Sequence, residues 1–98
     1  MQPKERKTDM AKTKDDIAAQ MREVVCKFLD AKPEQVTDTA RLVEDLGADE
    51  LDCVELIIEM EERYGIAVEN EEAEKVATFG ALVNLVYDKL SKGGGHGE

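Results

Sequence analysis

Several features are scarce or missing in this 98-residue chain, and each absence narrows the class of protein. Trp is absent and aromatic residues are few, so the apolar residues are mainly Leu, Val, Ile, Met and Ala, a composition that favours helices. No run of eighteen apolar residues occurs, so we expect no membrane span and no membrane partner. The N-terminus is polar and lacks an apolar signal segment. These absences predict a small cytoplasmic protein.

The residues that catalysis needs are also scarce. His96, the one histidine, lies among glycines near the C-terminus, and Ser91 is the one serine. No Ser–His–Asp or His–Cys set can therefore form, and we do not expect an enzyme. Cys26 and Cys53 are far apart in helical patterns, which indicates reduced, at least partly buried thiols.

The net charge of −10 is unevenly distributed. Thirteen acids lie between Glu44 and Glu74, where Arg63 is the only base, whereas residues 1–14 hold five bases and two acids. Such a field repels nucleic acid and anionic lipid, and it attracts basic protein patches or loose divalent cations. Plain solubility is the alternative explanation. We favour a docking surface because the acids concentrate around one predicted helix start, on what we expect to be a monomer.

Hydrophobic periodicity predicts one all-α domain, a small up-down four-helix bundle. We expect a disordered arm over 1–13, a helical domain over 14–91 and a flexible Gly-rich tail over 92–98. The helices are predicted at about 14–30, 50–64, 71–76 and 79–91, the first ended by Lys32-Pro33, the short third capped by Asn70 and the fourth capped by Thr78. A long loop joins the first two helices, and its apolar residues are expected to pin it to them: Val36, Ala40, Leu42, Val43 and Leu46.

The second helix has a well-marked start and end. Gly47 suits a tight turn, Asp49 is a good N-cap, and Gly65 stops the helix. Glu50 and Asp52 place negative charge at the positive end of the helix dipole, which stabilises an exposed helix by roughly 0.3–1 kcal/mol per residue. The segment from 47 to 65 is therefore predicted to contain one helix, about 50–64, with a turn and cap before it and a stop after it.

The same helix has two apolar stripes at helical spacing. The wider stripe suits a core and comprises Cys53, Leu56, Ile57, Met60 and Tyr64. The second stripe is Leu51, Val54 and Ile58, and Glu55, Glu59 and Glu62 flank it. An apolar strip edged with carboxylates suits a partner's apolar patch ringed by Lys or Arg. The alternative is that this stripe packs under the long loop.

This region resembles the acyl carrier proteins, whose signature Leu-Gly-Ala-Asp-Ser-Leu-Asp opens their second helix. Residues 46–49 (Leu-Gly-Ala-Asp) and 51–52 (Leu-Asp) match it, as do 54–56 (Val-Glu-Leu) and 71–75 (Glu-Glu-Ala-Glu-Lys). The resemblance covers about residues 15–90 and implies the family's fold. It also implies that this helix meets acyl-chain synthesis enzymes that have basic patches. The docking residues would be Asp52, Val54, Glu55, Ile58, Glu61 and Glu62.

One departure from the family concerns its chemistry. Glu50 occupies the position of the serine that holds the 4′-phosphopantetheine arm, and the resemblance implies that Asp49 and Leu51 flank that attachment point. A carboxylate can offer only a labile acyl phosphate, so we expect no cofactor on this chain. Glu50 is either an imitation of the phosphodiester charge or an engineered replacement.

Two functions follow from these expectations. The first is an acyl-carrier-like module of fatty acid, lipid or polyketide synthesis that cannot be loaded. The second is a natural non-carrier protein that binds or regulates a basic partner through the same helix. Loose divalent binding by Asp45, Asp49, Asp52 and Glu55 remains open, although their spacing does not match a calcium loop.

Overall fold

A computed structural model describes the backbone of residues 13–93 and the side chains of 13–91. Four α-helices follow in order: α1 Lys14–Leu29, α2 Glu50–Tyr64, α3 Asn70–Glu74 and α4 Phe79–Gly93. A short 3₁₀ turn, Pro33–Gln35, lies in the loop after α1. The part described has no strands, which agrees with the predicted all-α bundle. None of its helices combines the length and apolarity needed to span a bilayer.

The two ends of α1 differ from the prediction. Thr13, assigned to the arm, is the N-cap: its hydroxyl accepts the Asp16 N–H at 3.2 Å, and the Asp16 carboxylate accepts the Thr13 N–H at 3.3 Å. At the other end, Asp30 adopts a left-handed conformation, with φ of 54°, and donates its N–H to the carbonyl of Cys26. The helix therefore ends in a left-handed cap before Pro33 can act on it.

The core lies between α1, α2, α4 and the long loop. Phe79, Ile17, Met21, Leu56 and Met60 are the largest of its fully buried side chains. Arg22 makes two contacts at the edge of this core. Its Nε donates to the Val36 carbonyl at 2.9 Å, and its guanidinium lies 5.3 Å from the Phe79 ring centre. These contacts join α1 to the loop and to the start of α4.

The long loop is bonded to the start of α4 through its backbone. The Leu42 N–H donates to Ala77 at 3.0 Å, the Phe79 N–H to Ala40 at 2.9 Å, and the Gly80 N–H to Asp38 at 2.9 Å. Four of the five predicted pinning residues are buried: Val36, Ala40, Leu42 and Leu46. The prediction for Val43 is wrong, because 55% of this residue is exposed to solvent.

The third helix is shorter than predicted and begins one residue earlier. Its N-cap is Glu69 rather than Asn70, because the Glu72 carboxylate accepts the Glu69 N–H at 2.9 Å. None of its residues is buried, and the same Glu72 oxygen lies 2.8 Å from the Lys89 ammonium on α4. The element is therefore held largely by polar contacts.

The last helix confirms one predicted boundary and corrects the other. Thr78 caps α4 as expected, its hydroxyl accepting the Ala81 N–H at 3.1 Å. The helix continues to Gly93, so Lys92 and Gly93 belong to it rather than to the tail. The predictions for the arm before Thr13 and for the rest of the tail, which holds His96, concern residues outside the described range.

Candidate functional site

The start of α2 is built as the sequence predicts. The Asp49 carboxylate accepts the Asp52 N–H at 2.8 Å, and the Asp52 carboxylate accepts the Asp49 N–H at 3.1 Å. Gly47 precedes them with φ of 78°, a conformation that favours glycine. Glu50 is the first helical residue and is exposed. Its carboxylate is therefore presented to solvent at the positive end of the helix dipole.

The turn that leads into α2 is closed by its own backbone. The Asp45 and Leu46 N–H groups both donate to the Arg41 carbonyl, at 2.9 and 3.1 Å. The Gly47 N–H donates to Val43 at 3.1 Å, and the Ala48 N–H donates to Leu42 at 2.9 Å. This network fixes the approach to α2 and therefore the position of Glu50.

The two stripes of α2 have different environments. Leu56 and Met60 are buried in the core, and the other members of the wider stripe, Cys53, Ile57 and Tyr64, are partly buried against it. In the second stripe Leu51, Val54 and Ile58 are 63%, 49% and 45% exposed. The alternative that this stripe packs under the loop is therefore wrong. It forms an apolar strip on the surface.

The carboxylates around the strip are not equivalent. Glu55 and Glu62 are exposed, and the salt bridges within the described residues do not involve either of them. Glu59 pairs with Arg63 at 3.0 Å. Glu61 is partly buried and accepts the Val68 N–H at 2.8 Å, which ties the end of α2 to the connector before α3. Glu61 thus has an internal role besides the predicted docking role.

Cys53 lies one turn after Glu50 and is partly buried. Burial raises the pKa of its thiol, and the negative charges of Asp52, Asp49 and Glu50 raise it further. A raised pKa keeps the sulfur protonated and weakly nucleophilic at neutral pH. The thiol is therefore a poor attachment point for an acyl group.

The four carboxylates considered for loose divalent binding are not brought together. Asp49 and Asp52 bind each other's backbone amides, while Asp45 accepts the Arg41 N–H at 2.8 Å and lies 3.6 Å from the Arg41 guanidinium. Across residues 13–93, no group of three or more His, Cys, Asp or Glu side chains is placed to hold a metal ion.

A phosphodiester attachment needs a hydroxyl at the start of α2, and Glu50 supplies none. The hydroxyls of Thr13 and Thr78 cap α1 and α4. Thr37 and Thr39 lie on the long loop, and Ser91 lies in the last turns of α4. The residues present at the site therefore do not fit attachment of a phosphopantetheine arm.

Sequence reasoning assigned the wrong environment to one residue of this region. Val43 lies between the buried Leu42 and the turn that leads to α2, yet its own side chain faces solvent. Glu44 and Asp45, the two acids that follow Val43, are exposed with it, and they are the signal that could have identified its environment.

Comparison with known proteins agrees with this architecture. The family described as "Phosphopantetheine attachment site" matches residues 19–86. An acyl carrier protein from Wolinella succinogenes is 47% identical over 66 residues, covering 67% of this chain and 87% of the relative. An acyl carrier protein from Caulobacter vibrioides is 42% identical over 76 residues, covering 78% of this chain and 97% of the relative.

A solved structure gives the same answer for the fold. The acyl carrier protein from Enterococcus faecalis, described for its high thermal stability, superposes with a TM-score of 0.69 at 28% identity, covering 79% of this chain and 98% of that one. Together with the sequence matches and the helix order, this shows that the chain belongs to the phosphopantetheine attachment family of acyl carrier proteins, which are carrier proteins rather than enzymes.

Proposed function

We propose that this chain is an acyl-carrier-type docking module that binds the enzymes of acyl-chain synthesis through α2 but is not loaded with phosphopantetheine. The observation that supports it is the exposed strip of Leu51, Val54 and Ile58 beside the solvent-facing carboxylates of Glu55 and Glu62. Burying such a strip removes apolar area from water, while the carboxylates select a partner with Lys or Arg around an apolar patch.

Glu50 defines the second half of the proposal. A carboxylate at the attachment position preserves a negative charge at the α2 N-terminus but offers no stable linkage to the arm. The full chain, incubated with a phosphopantetheinyl transferase and coenzyme A, should keep its intact mass. The Glu50→Ser variant should gain one arm, and Glu50→Ala is the matched control that should not. A mass increase of the unmodified sequence would contradict the proposal.

Docking is tested separately in the Glu50→Ser background. Glu55→Lys, Glu62→Lys and Ile58→Asp should each slow arm transfer, measured as kcat/KM of the transferase, while melting temperatures stay close to the parent. Asn84→Asp, an exposed change on α4, is the control. Parental rates in all three variants would refute docking through α2 without affecting the conclusion about loading.

A second candidate function is a non-carrier regulator that imitates a modified carrier. The charge of Glu50 favours it, because about one negative charge remains where the phosphodiester would sit. Glu50→Gln should then weaken binding to a carrier-dependent enzyme. In a carrier relative that holds no arm, Gln at the attachment position should leave binding to the same enzyme unchanged. Genes for synthases, dehydratases or reductases beside the coding sequence would favour carrier ancestry.

A further inference from the structure

Val43 is an exposed apolar residue in a segment that is otherwise tightly held. It is 55% exposed, whereas the preceding Leu42 is 2% exposed. An isolated exposed valine on a mobile loop would need no explanation, since single apolar residues are common on protein surfaces. Val43 differs from such a residue because the backbone around it is hydrogen-bonded on both sides.

Backbone bonds on both sides hold Val43 in its outward position. Before it, Leu42 and Ala40 bond to the start of α4 at 3.0 and 2.9 Å. After it, the Gly47 N–H donates to the Val43 carbonyl itself at 3.1 Å. Rotating Val43 inward would break these bonds and displace the buried Leu42. The fold therefore presents this side chain to solvent and keeps it next to the entry of α2.

The contact with α4 that supports this arrangement is unusually close. A Cβ added at Gly80 would lie 2.6 Å from the Asp38 carbonyl oxygen, to which the Gly80 N–H donates at 2.9 Å. Only glycine lets α4 approach the loop this closely. The outward position of Val43 is thus set by α4 as well as by its own turn.

The charges beside Val43 differ from those beside α2. Arg41 lies 2.7 Å from the carboxylate of Glu44 and 3.6 Å from that of Asp45, so one cation is shared by the two acids that follow Val43 and one net negative charge is left. The strip of α2, in contrast, has the exposed Glu55 and Glu62 beside it. A partner that covers both regions would contact Val43 beside a partly neutralised pair of acids. It would contact the α2 strip beside the exposed carboxylates of Glu55 and Glu62.

We propose that Val43 is a second apolar anchor of the docking surface, inserting into an uncharged pocket of the partner enzyme beside the Lys- or Arg-edged patch that receives α2. This rests on the proposed function, because it extends the same surface onto the loop. The Gly47 N–H bond to the Val43 carbonyl joins the two parts, and three residues of turn and cap, 48–50, connect Gly47 to Leu51 at the start of the strip.

The test uses the full chain with Glu50→Ser and a phosphopantetheinyl transferase, which must approach residue 50. Val43→Ala should lower kcat/KM about fivefold, as expected for losing two half-exposed methyl groups at an apolar contact. Phe28→Ala is the matched control: Phe28 is 38% exposed in a groove between α1 and the end of α2, and its loss should leave the rate unchanged. Melting temperatures identify any variant that fails to fold.

Ionic strength separates an apolar anchor from an electrostatic one. The effect of Val43→Ala should be the same in low and high salt, whereas the effect of Glu62→Lys should shrink as salt screens the charge. If Ile58→Asp slows the transferase and Val43→Ala does not, the anchor is refuted and docking through α2 stands. If neither variant slows it, docking through α2 fails as well. A salt-dependent effect of Val43→Ala would also refute the anchor.

Discussion

The two faces of α2 show how one helix serves both the core and the surface. Leu56 and Met60 are buried on one side, while Val54 and Ile58 are about half exposed on the other. All four are apolar, so composition does not separate them. What differs is the neighbour: α1 and α4 cover the first face, and nothing in the described residues covers the second. Apolar residues that the fold leaves uncovered point to a use outside the domain.

The contrast between the faces predicts the largest effect on stability. Leu56→Ala should lower the free energy of unfolding by about 2–5 kcal/mol, because it leaves a cavity in the core. Ile58→Ala should change it by less than about 0.5 kcal/mol, because the side chain is already half in water. Chemical denaturation of both variants measures the difference. Equal losses would mean that the strip is also part of the core.

The contact between the long loop and α4 gives a second prediction about stability, to be compared with that for the two faces of α2. Gly80→Ala should destabilise the protein by about 1–3 kcal/mol, because the new Cβ would clash with the Asp38 carbonyl oxygen. The expected value includes the gain of helix propensity that alanine brings. Ala substituted at the exposed Asn84 on the same helix is the control and should not destabilise. A melting temperature unchanged in Gly80→Ala would show that the loop moves away without penalty.

The acidic surface should give a smaller effect that salt reveals. Thirteen acids between Glu44 and Glu74 repel one another at a fraction of a kcal/mol to about 1 kcal/mol per close pair. Added NaCl should therefore raise the melting temperature by screening. MgCl₂ at matched ionic strength should give the same curve, because the described carboxylates form no metal site. A larger rise with Mg²⁺, lost in Asp49→Asn, would restore the hypothesis of a divalent site.

The smallest effect concerns α3 and depends on pH. The hydrogen bond from Lys89, aided by the Glu69 N–H, lowers the pKa of the Glu72 carboxyl. A lowered folded-state pKa means that the bond stabilises α3 above the ordinary pKa of Glu and is lost as pH falls through the lowered value. Lys89→Met should therefore speed amide exchange over 70–76 at neutral pH.

Acid conditions provide the check on this last expectation. Below the lowered pKa, Lys89→Met and the parent should exchange alike, since the Glu72 carboxyl is then protonated in both. Lys32→Met, an exposed change in the loop after α1, should match the parent at every pH. A difference between Lys89→Met and the parent that persists in acid would assign the effect to packing of the lysine stem rather than to the ion pair.

Much of the fold was predictable because its signals are local. The Asp49 cap, the Thr78 cap and the stop at Gly65 depend on residues within one turn of a helix end, and all three agree with the structure. The N-cap of α3 was mispredicted because a glutamate side chain can bond back to the preceding N–H and move the boundary. The end of α1 was assigned to Pro33, although Asp30 ends it first.

The sequence by itself determined the helix pattern, the family and the mismatch at Glu50, since these depend on periodicity, on motifs and on one side chain's chemistry. The tertiary structure alone decided which apolar residues remain exposed to solvent. Ile58 and Val43 are exposed because no other element within residues 13–93 covers them, whereas the partly buried Glu61 carboxylate accepts the Val68 N–H at 2.8 Å. Burial depends on contacts between segments distant in the chain, and a local pattern holds no information about those contacts.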